Sequence, residues 1–189
     1  MMQAAAQATA PAIPAVSPLP PAFDAVYQAE FAFVCRSLRR LGAAPPDVSD
    51  LAQEVFLVVL RRLCDFDTSR PVRPWLFGIA YRVLVDNRRL AHHRHEVVGT
   101  APDRTDTDPC GDGATTAEAR ALVIEALSAL DLEQRAVLAL HDIEEFTMPE
   151  ITLALSIPLN TGYSRLRLAR ERFGREIKRL RARRGEVHG

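Results

Sequence analysis

Apolar residues recur at three- and four-residue intervals in one segment of this chain after another, and no segment alternates apolar and polar cleanly with period two. That pattern restricts the fold to packed helices, because a strand with one buried face needs a two-residue repeat. Over residues 22–42 the stripe is Phe23, Val26, Tyr27, Phe33, Val34, Leu38 and Leu41, stopped by Gly42 and the pair Pro45-Pro46. Asp47 or Ser49 can cap a second helix reaching about Cys64, with Leu51, Val55, Phe56, Val59, Leu60 and Leu63 at helical spacing. Residues 65–74 (DFDTSRPVRP) read as a loop, and a third helix is expected from Trp75 to about Arg94, burying Leu76, Ile79, Ala80, Val83 and Leu84. Three helices with a shared core would make a first domain over 22–95.

The composition then changes. Residues 96–116 are rich in Asp, Thr, Gly and Pro and nearly lack large apolar side chains, which is the make-up of a flexible linker. Beyond it a helix is expected near 117–130, then one capped by Asp131 with Gln134 completing a capping box and carrying Val137, Leu138 and Leu140. Thr147-Met148-Pro149-Glu150 is a second capping box, opening a short helix over 148–155. The tight connection Ser156-Ile157-Pro158 leads to a long helix from Asn160 to about Arg181 with Leu166, Ala169, Phe173, Ile177 and Leu180 as its stripe. Ile151, Ala154 and Ile157 are spaced to pack the last two helices together, a helix-turn-helix pattern. The expectation is an all-α chain of two small helical domains, one of three helices and one of four over 117–184. Residues 1–21, Ala- and Pro-rich with no basic start, read as a disordered tail rather than a secretory signal.

Composition excludes several classes. With 48% hydrophobic and 25% charged residues the chain is globular, and no apolar run approaches the ~18–20 residues that cross a bilayer. Cys35, Cys64 and Cys110 are odd in number and far apart, which fits a reducing cytoplasm better than a disulfide scaffold or zinc site. His92, His93 and His95 have no Cys or carboxylate at zinc-like spacing and read as a cationic helix end. Glu144, Glu145 and Glu150 pair with no nucleophile, and Ser164 lacks a nucleophile-elbow setting. No catalytic constellation, metal site or cofactor is expected.

Equal numbers of basic and acidic residues, 24 each, conceal a segregation. Residues 70–95 carry six Arg against Asp86 alone, and 161–189 carry nine Arg and Lys178 against three Glu. Between them, residues 96–160 hold thirteen acids against three Arg. Two basic blocks would offer a polyanion two positive surfaces; the alternative is two solvated helix faces.

The runs DVSDLAQEVFLVVLRRL (47–63), PWLFGIAYRVLVDNRR (74–89) and LDLEQRAVLALHDIEEFTMPEITLALSIPLNTGYSRLRLAR (130–170) resemble, in order, a bacterial RNA polymerase sigma factor of the sigma-70 family, in the compact form of the extracytoplasmic-function group. The resemblance covers about 22–95 and 117–181. It implies a transcription initiation factor without chemistry of its own, cytoplasmic, which binds polymerase core, directs it to promoters, helps melt them, and is held by an anti-sigma factor. The DLxQEVF helix would meet the clamp coiled coil of the largest subunit through Asp50, Gln53 and Glu54. Phe66, Arg73, Arg82, Arg88 and Arg89 would bind and melt the minus-ten element as a single strand beside a basic track. Asn160, Thr161, Tyr163, Ser164, Arg165, Arg167 and Arg170 would read the minus-thirty-five element as duplex, with Arg167 on a base edge and Arg165 and Arg170 on phosphates.

The chain departs from the family pattern at five positions. Arg82 stands where Asn is usual and Tyr81 where Arg is usual. Gly162 replaces a branched apolar residue, Tyr163 a cation, and Ser156 the glycine of the turn; each glycine exchange is expected to cost about 1 kcal/mol. Two other readings compete: a stand-alone helix-turn-helix regulator, which would have no use for the DLAQEVF surface, and a sigma-like protein that no longer reads promoters. A helical enzyme is disfavoured by the missing constellation.

Overall fold

The computed structural model describes residues 22–95 and 114–186, and among these every regular element is helical. The expected tail (1–21) and most of the expected linker (96–113) lie outside the described residues, as do Cys110 and the side chains of His92, His93 and His95. Seven α-helices follow in order: α1 (Phe23–Leu41), α2 (Val48–Arg62), α3 (Val72–His95), α4 (Ala114–Ser128), α5 (Leu132–Leu138), α6 (Met148–Leu155) and α7 (Leu159–Glu186).

Helices α1, α2 and α3 pack pairwise on one another. Phe33, Leu38, Leu41, Leu76, Phe77 and Val59 are all but inaccessible between them, each such burial contributing about 1.5–3 kcal/mol. Gly42 ends α1 in the left-handed region (φ 88°), its N–H donating to Arg39 O and that of Ala43 to Leu38 O, a Schellman closure. Helix α3 begins three residues before Trp75, earlier than expected. Pro74 falls in its first turn, where the missing N–H has no helical partner to lose.

In the second half α7 packs against α4, α5 and α6 around Leu127, Leu140, Ile151 and Leu166. Helix α4 starts at Ala114, inside the stretch read as linker, and α7 runs on to Glu186. The capping box at Thr147 forms: the Glu150 carboxylate accepts from the Thr147 N–H at 2.8 Å and from its hydroxyl at 2.6 Å. The one expected at Asp131 does not, because Arg172 takes both partners, donating to the Asp131 carboxylate at 2.7 Å and to Gln134 Oε1 at 3.3 Å. A π-helical turn over Ala139–Ile143 continues α5, and Glu145 (φ 60°) turns the chain toward α6.

The two halves are not separate in this structure. Helix α3 lies against α6, α1 lies against α4 and α5, and one apolar cluster runs through both halves.

Candidate nucleic-acid and polymerase interfaces

Three surfaces carry the residues that the sequence singled out. On α2, Asp50, Gln53 and Glu54 are all exposed, while Val55, Val59 and Leu63 point into the core. The same outward face continues through Leu57 and Leu60, 54% and 53% exposed. Leu60 was expected in the buried stripe; it lies instead three residues from Leu57 and six from Glu54, on the solvent side. Two leucines half bare beside three polar side chains form a small mixed patch suited to another protein. Positions 50, 53, 54, 57, 60 and 61 share one helical phase, but a leucine at 57 or 60 reads as core from sequence alone.

The second surface is the loop before α3 and α3 itself. Phe66 is half-buried and packs against Trp75 with the rings tilted by 39° and their centroids 4.8 Å apart. Arg73, in the first turn of α3, donates to Glu30 at 2.8 Å and lies over the Phe33 ring, which ties the start of α3 to α1. Arg88 donates to the carbonyls of Leu41 and Gly42 at 3.1 and 2.9 Å, completing the C-terminal end of α1, where a cation is favoured. Arg82 reaches into the other half and donates to the Ala154 carbonyl at 3.0 Å. Burial, then the nearby Arg62 charge, draws the Arg82 guanidinium below its ordinary range. Arg89 is exposed. Tyr81, half-buried, has its hydroxyl pushed up by burial and by Glu133, with Arg165 opposing.

The third surface is the start of α7. Ser156 ends α6 with φ 56° and ψ 48°, its N–H donating to Leu153 O and that of Ile157 to Thr152 O, so a serine occupies the left-handed closing position. Beyond the turn, Asn160, Tyr163, Ser164 and Arg167 face outward, at spacings of three, four and seven. Among the described residues Arg167 has no ion-pair partner. The Ser164 hydroxyl donates back to Asn160 O at 2.6 Å and to Thr161 O at 3.2 Å. Thr161 is half-buried, and Arg165 is turned onto Glu133. Arg170 is held by Asp142 at 2.6 and 2.9 Å, which, ahead of the opposing burial and a contribution from His141, keeps that carboxyl below its usual range. Gly162 is buried under α6: a Cβ there would lie 2.6 Å from Met148 Sδ and 2.7 Å from Thr152 Cγ2. It is therefore a close-packing glycine, with the volume of the missing side chain filled by Met148.

The acidic middle of the chain is thus folded onto the basic blocks. Arg172, Arg170 and Arg165 of α7 pair with Asp131, Asp142 and Glu133, and Arg40 of α1 pairs with Glu144. The positive surface that remains is narrower than the charge count implied. Among the described residues no cluster of three His, Cys, Asp or Glu is placed to hold a metal ion, and no helix is long and apolar enough to cross a membrane.

Comparison with known proteins accounts for the order of these surfaces. Residues 26–94 match the family described as Sigma-70 region 2, and residues 120–173 match Sigma-70, region 4. The chain is 30% identical over 158 residues to the RNA polymerase sigma factor NccH of Alcaligenes xylosoxydans xylosoxydans, covering 80% of this chain and 84% of that one. It is 32% identical over 146 residues to the ECF RNA polymerase sigma factor SigL of Mycobacterium tuberculosis, covering 77% and 82%. Its fold is shared with the sigma factor RpoE of Bartonella quintana, solved in complex with the anti-sigma factor NepR (TM-score 0.71, 18% identity, 82% and 96% covered). It is also shared with CnrH, solved with the cytosolic domain of CnrY (TM-score 0.60, 24% identity, 82% and 87% covered). A stand-alone helix-turn-helix regulator would leave the match over 26–94 without a purpose. With both regions present in order and relatives of this identity spanning most of its length, the chain belongs to the sigma-70 family, as an extracytoplasmic-function sigma factor, a transcription initiation factor.

Proposed function

We propose that this sigma factor docks on RNA polymerase core through the outward face of α2, with Asp50, Gln53 and Glu54 supplying polar contacts and Leu57 and Leu60 the apolar ones. The observation that carries this is the exposure of all five on one helical face whose opposite side is sealed in the core. The surface fits the clamp coiled coil of the largest subunit, since a helical partner laid along α2 would cover both leucines. Residues 22–95 then act as the melting and minus-ten domain, and the half that opens with α4 acts as the minus-thirty-five domain.

Promoter contact follows from the remaining surfaces. Arg82, Arg88 and Arg89, with Phe66 in the loop and Arg73 at the start of α3, line a basic track able to hold an unpaired strand. Asn160, Tyr163, Ser164 and Arg167 enter the major groove with Thr161 at its edge, while Arg165 and Arg170 reach the phosphates only by leaving Glu133 and Asp142. The chain needs no metal, cofactor or catalytic residue for this work, because the energy of strand separation comes from binding the separated strand. One solved neighbour is bound to the anti-sigma factor NepR and another to the cytosolic domain of CnrY, which supports regulation of this chain by an anti-sigma protein. The site of action is the cytoplasm, where polymerase is.

Gln53→Ala combined with Glu54→Ala tests the docking face. Both side chains are exposed, so the fold should be intact by circular dichroism. Core capture in a pull-down should weaken by about 2–4 kcal/mol. Unchanged capture would remove α2 from the interface.

A further inference from the structure

Helix α7 runs past the part of the chain that the family match accounts for. The region 4 match ends at Phe173, and the helix continues to Glu186. The continuation is anchored: Leu180 is buried, and Arg184 donates to Glu125 of α4 at 3.3 Å. Several of its cations are engaged with acids, Arg175 with Glu171, Arg179 with Glu176 and Arg184 with Glu125. Lys178 and Arg181 are exposed, and among the described residues neither has an ion-pair partner. Spacings of four, seven, four and three join Tyr163, Arg167, Gly174, Lys178 and Arg181 on one face of the helix, the face that begins with the groove-reading residues. Glu171, the acid nearest that face, is drawn toward Arg175.

Gly174 lies at the middle of this face, in a helix interior, where only proline is a poorer helix former. Its own fold does not require it, since nothing lies within 4 Å of where its Cβ would stand. Gly162, by contrast, is pressed against Met148 and Thr152. A glycine with no inward reason, set beside cations with no inward partner, suits a close approach from outside. The dimensions identify what approaches. At about 1.5 Å per residue, Gly174, Lys178 and Arg181 stand about 10, 16 and 21 Å beyond Arg167 along the axis. The major groove is about 12 Å wide. A helix whose first turns meet base edges therefore leaves the groove near Gly174 and carries Lys178 and Arg181 over the phosphate strand that borders it.

We propose that the distal part of α7 is a further DNA contact, outside the region 4 match: the phosphate strand bordering the groove crosses the helix at Gly174 and is held by Lys178 and Arg181. The proposal rests on the reading of the start of α7 as the minus-thirty-five element's reader. Phosphates carry no base identity, so the two cations add affinity to every sequence alike, while Arg167 supplies the choice among them. The face is continuous with the groove-reading residues, which favours the duplex those residues occupy over an acidic protein surface. Arg179 and Arg183 fall on other sides of the helix and take no part.

The test uses the full-length chain and a labelled random-sequence duplex of about 30 base pairs, followed by fluorescence anisotropy between about 50 and 200 mM salt. Lys178→Ala with Arg181→Ala removes two phosphate contacts. The log–log salt slope should fall by about 1.8, so wild type's advantage should be about twelvefold greater at the low salt than at the high. Arg179→Ala with Arg183→Ala removes the same charge from other sides of the helix and should change the slope less than half as much. Gly174→Leu places its side chain in open space and favours the helix, so Tm should hold or rise. Its duplex affinity at low salt should nonetheless fall roughly tenfold, as the strand is held away from both cations. Equal slope losses in the two double variants would reduce the face to general charge and overturn the proposal. Unchanged duplex binding by Lys178→Ala with Arg181→Ala, together with weaker transcription by core enzyme, would give the face to an acidic protein surface and overturn it as well. Wild-type affinity in Gly174→Leu would refute the crossing at Gly174. A wild type that binds no duplex would refute the reading of α7 itself. Weakened binding by Arg167→Ala, with none lost by the Lys178 and Arg181 variant, would spare that reading and refute the distal contact alone.

Discussion

Gly162→Val tests the packing of the helix-turn-helix most sharply, because the sequence and the structure give opposite expectations. Judged against the family pattern, a branched residue belongs there and glycine costs about 1 kcal/mol. In the structure the position is full. A Cβ would stand 2.6 Å from Met148 Sδ and 2.7 Å from Thr152 Cγ2, where ordinary contact begins at 3.4 Å. Met148 can turn away, but Thr152 is β-branched and its hydroxyl is tied to the Pro149 carbonyl at 3.1 Å. Relief from glycine returns under about 1 kcal/mol for a β-branched replacement, whereas overpacking costs about 1–3 kcal/mol and valine adds two further methyl groups. The expected net loss is about 2 kcal/mol, a fall in Tm of about 4–8 °C for a chain of this size. Met148→Ala alone should lose about 2–5 kcal/mol through its cavity, and the double variant should recover at least about 1 kcal/mol relative to the sum. Urea and thermal unfolding of the four proteins complete the cycle. A Gly162→Val protein as stable as wild type, or additive losses in the double variant, would refute the claim that Met148 fills the space.

Three shorter predictions follow from the same region. Ser156→Gly should stabilise by about 1 kcal/mol, since the left-handed backbone there (φ 56°) costs a serine about that much and the side chain is exposed, as read by urea midpoint. Asp142→Asn should cost under about 1 kcal/mol at pH 7, discounted for exposure. Its carboxyl is depressed in the folded state, so that contribution is complete above 3.8 and lost as pH falls through the lower folded value, where the two proteins should unfold alike. The same variant frees Arg170 for phosphate and should steepen the salt dependence of duplex binding by about 0.9 in log–log slope. Arg167→Ala should cost about 1–3 kcal/mol on the preferred minus-thirty-five sequence and relax one or two base positions in a promoter library, while other sequences bind nearly as before.

What the sequence made legible was local. Gly42 as a helix stop, Thr147 and Glu150 as a capping box and the 148–155 helix depend on neighbours a few residues away, and each is found where the residues place it. The α2 face was legible for Asp50, Gln53 and Glu54 through phase alone, but Leu57 and Leu60 were hidden because an apolar residue reads as core until a partner is known. Side chains with long reach were illegible. Arg172 dissolves the expected Asp131 capping box from 41 residues away, and Arg165 and Arg170, counted as phosphate contacts, spend their charge on acids of the middle segment. Charge blocks distant in sequence neutralise each other once folded, and no one-dimensional pattern reports which arginine finds which carboxylate.

Transcription by core polymerase tests promoter initiation by this protein most directly. Core enzyme, this protein and a pool of upstream fragments from its own genome would be combined, and the start sites of the transcripts sequenced. The prediction is a set of starts absent with core alone, sharing two upstream elements, and lost when Gln53→Ala with Glu54→Ala replaces the wild type. Transcripts identical to those of core alone, in a reaction where the protein is folded and in excess, would contradict it.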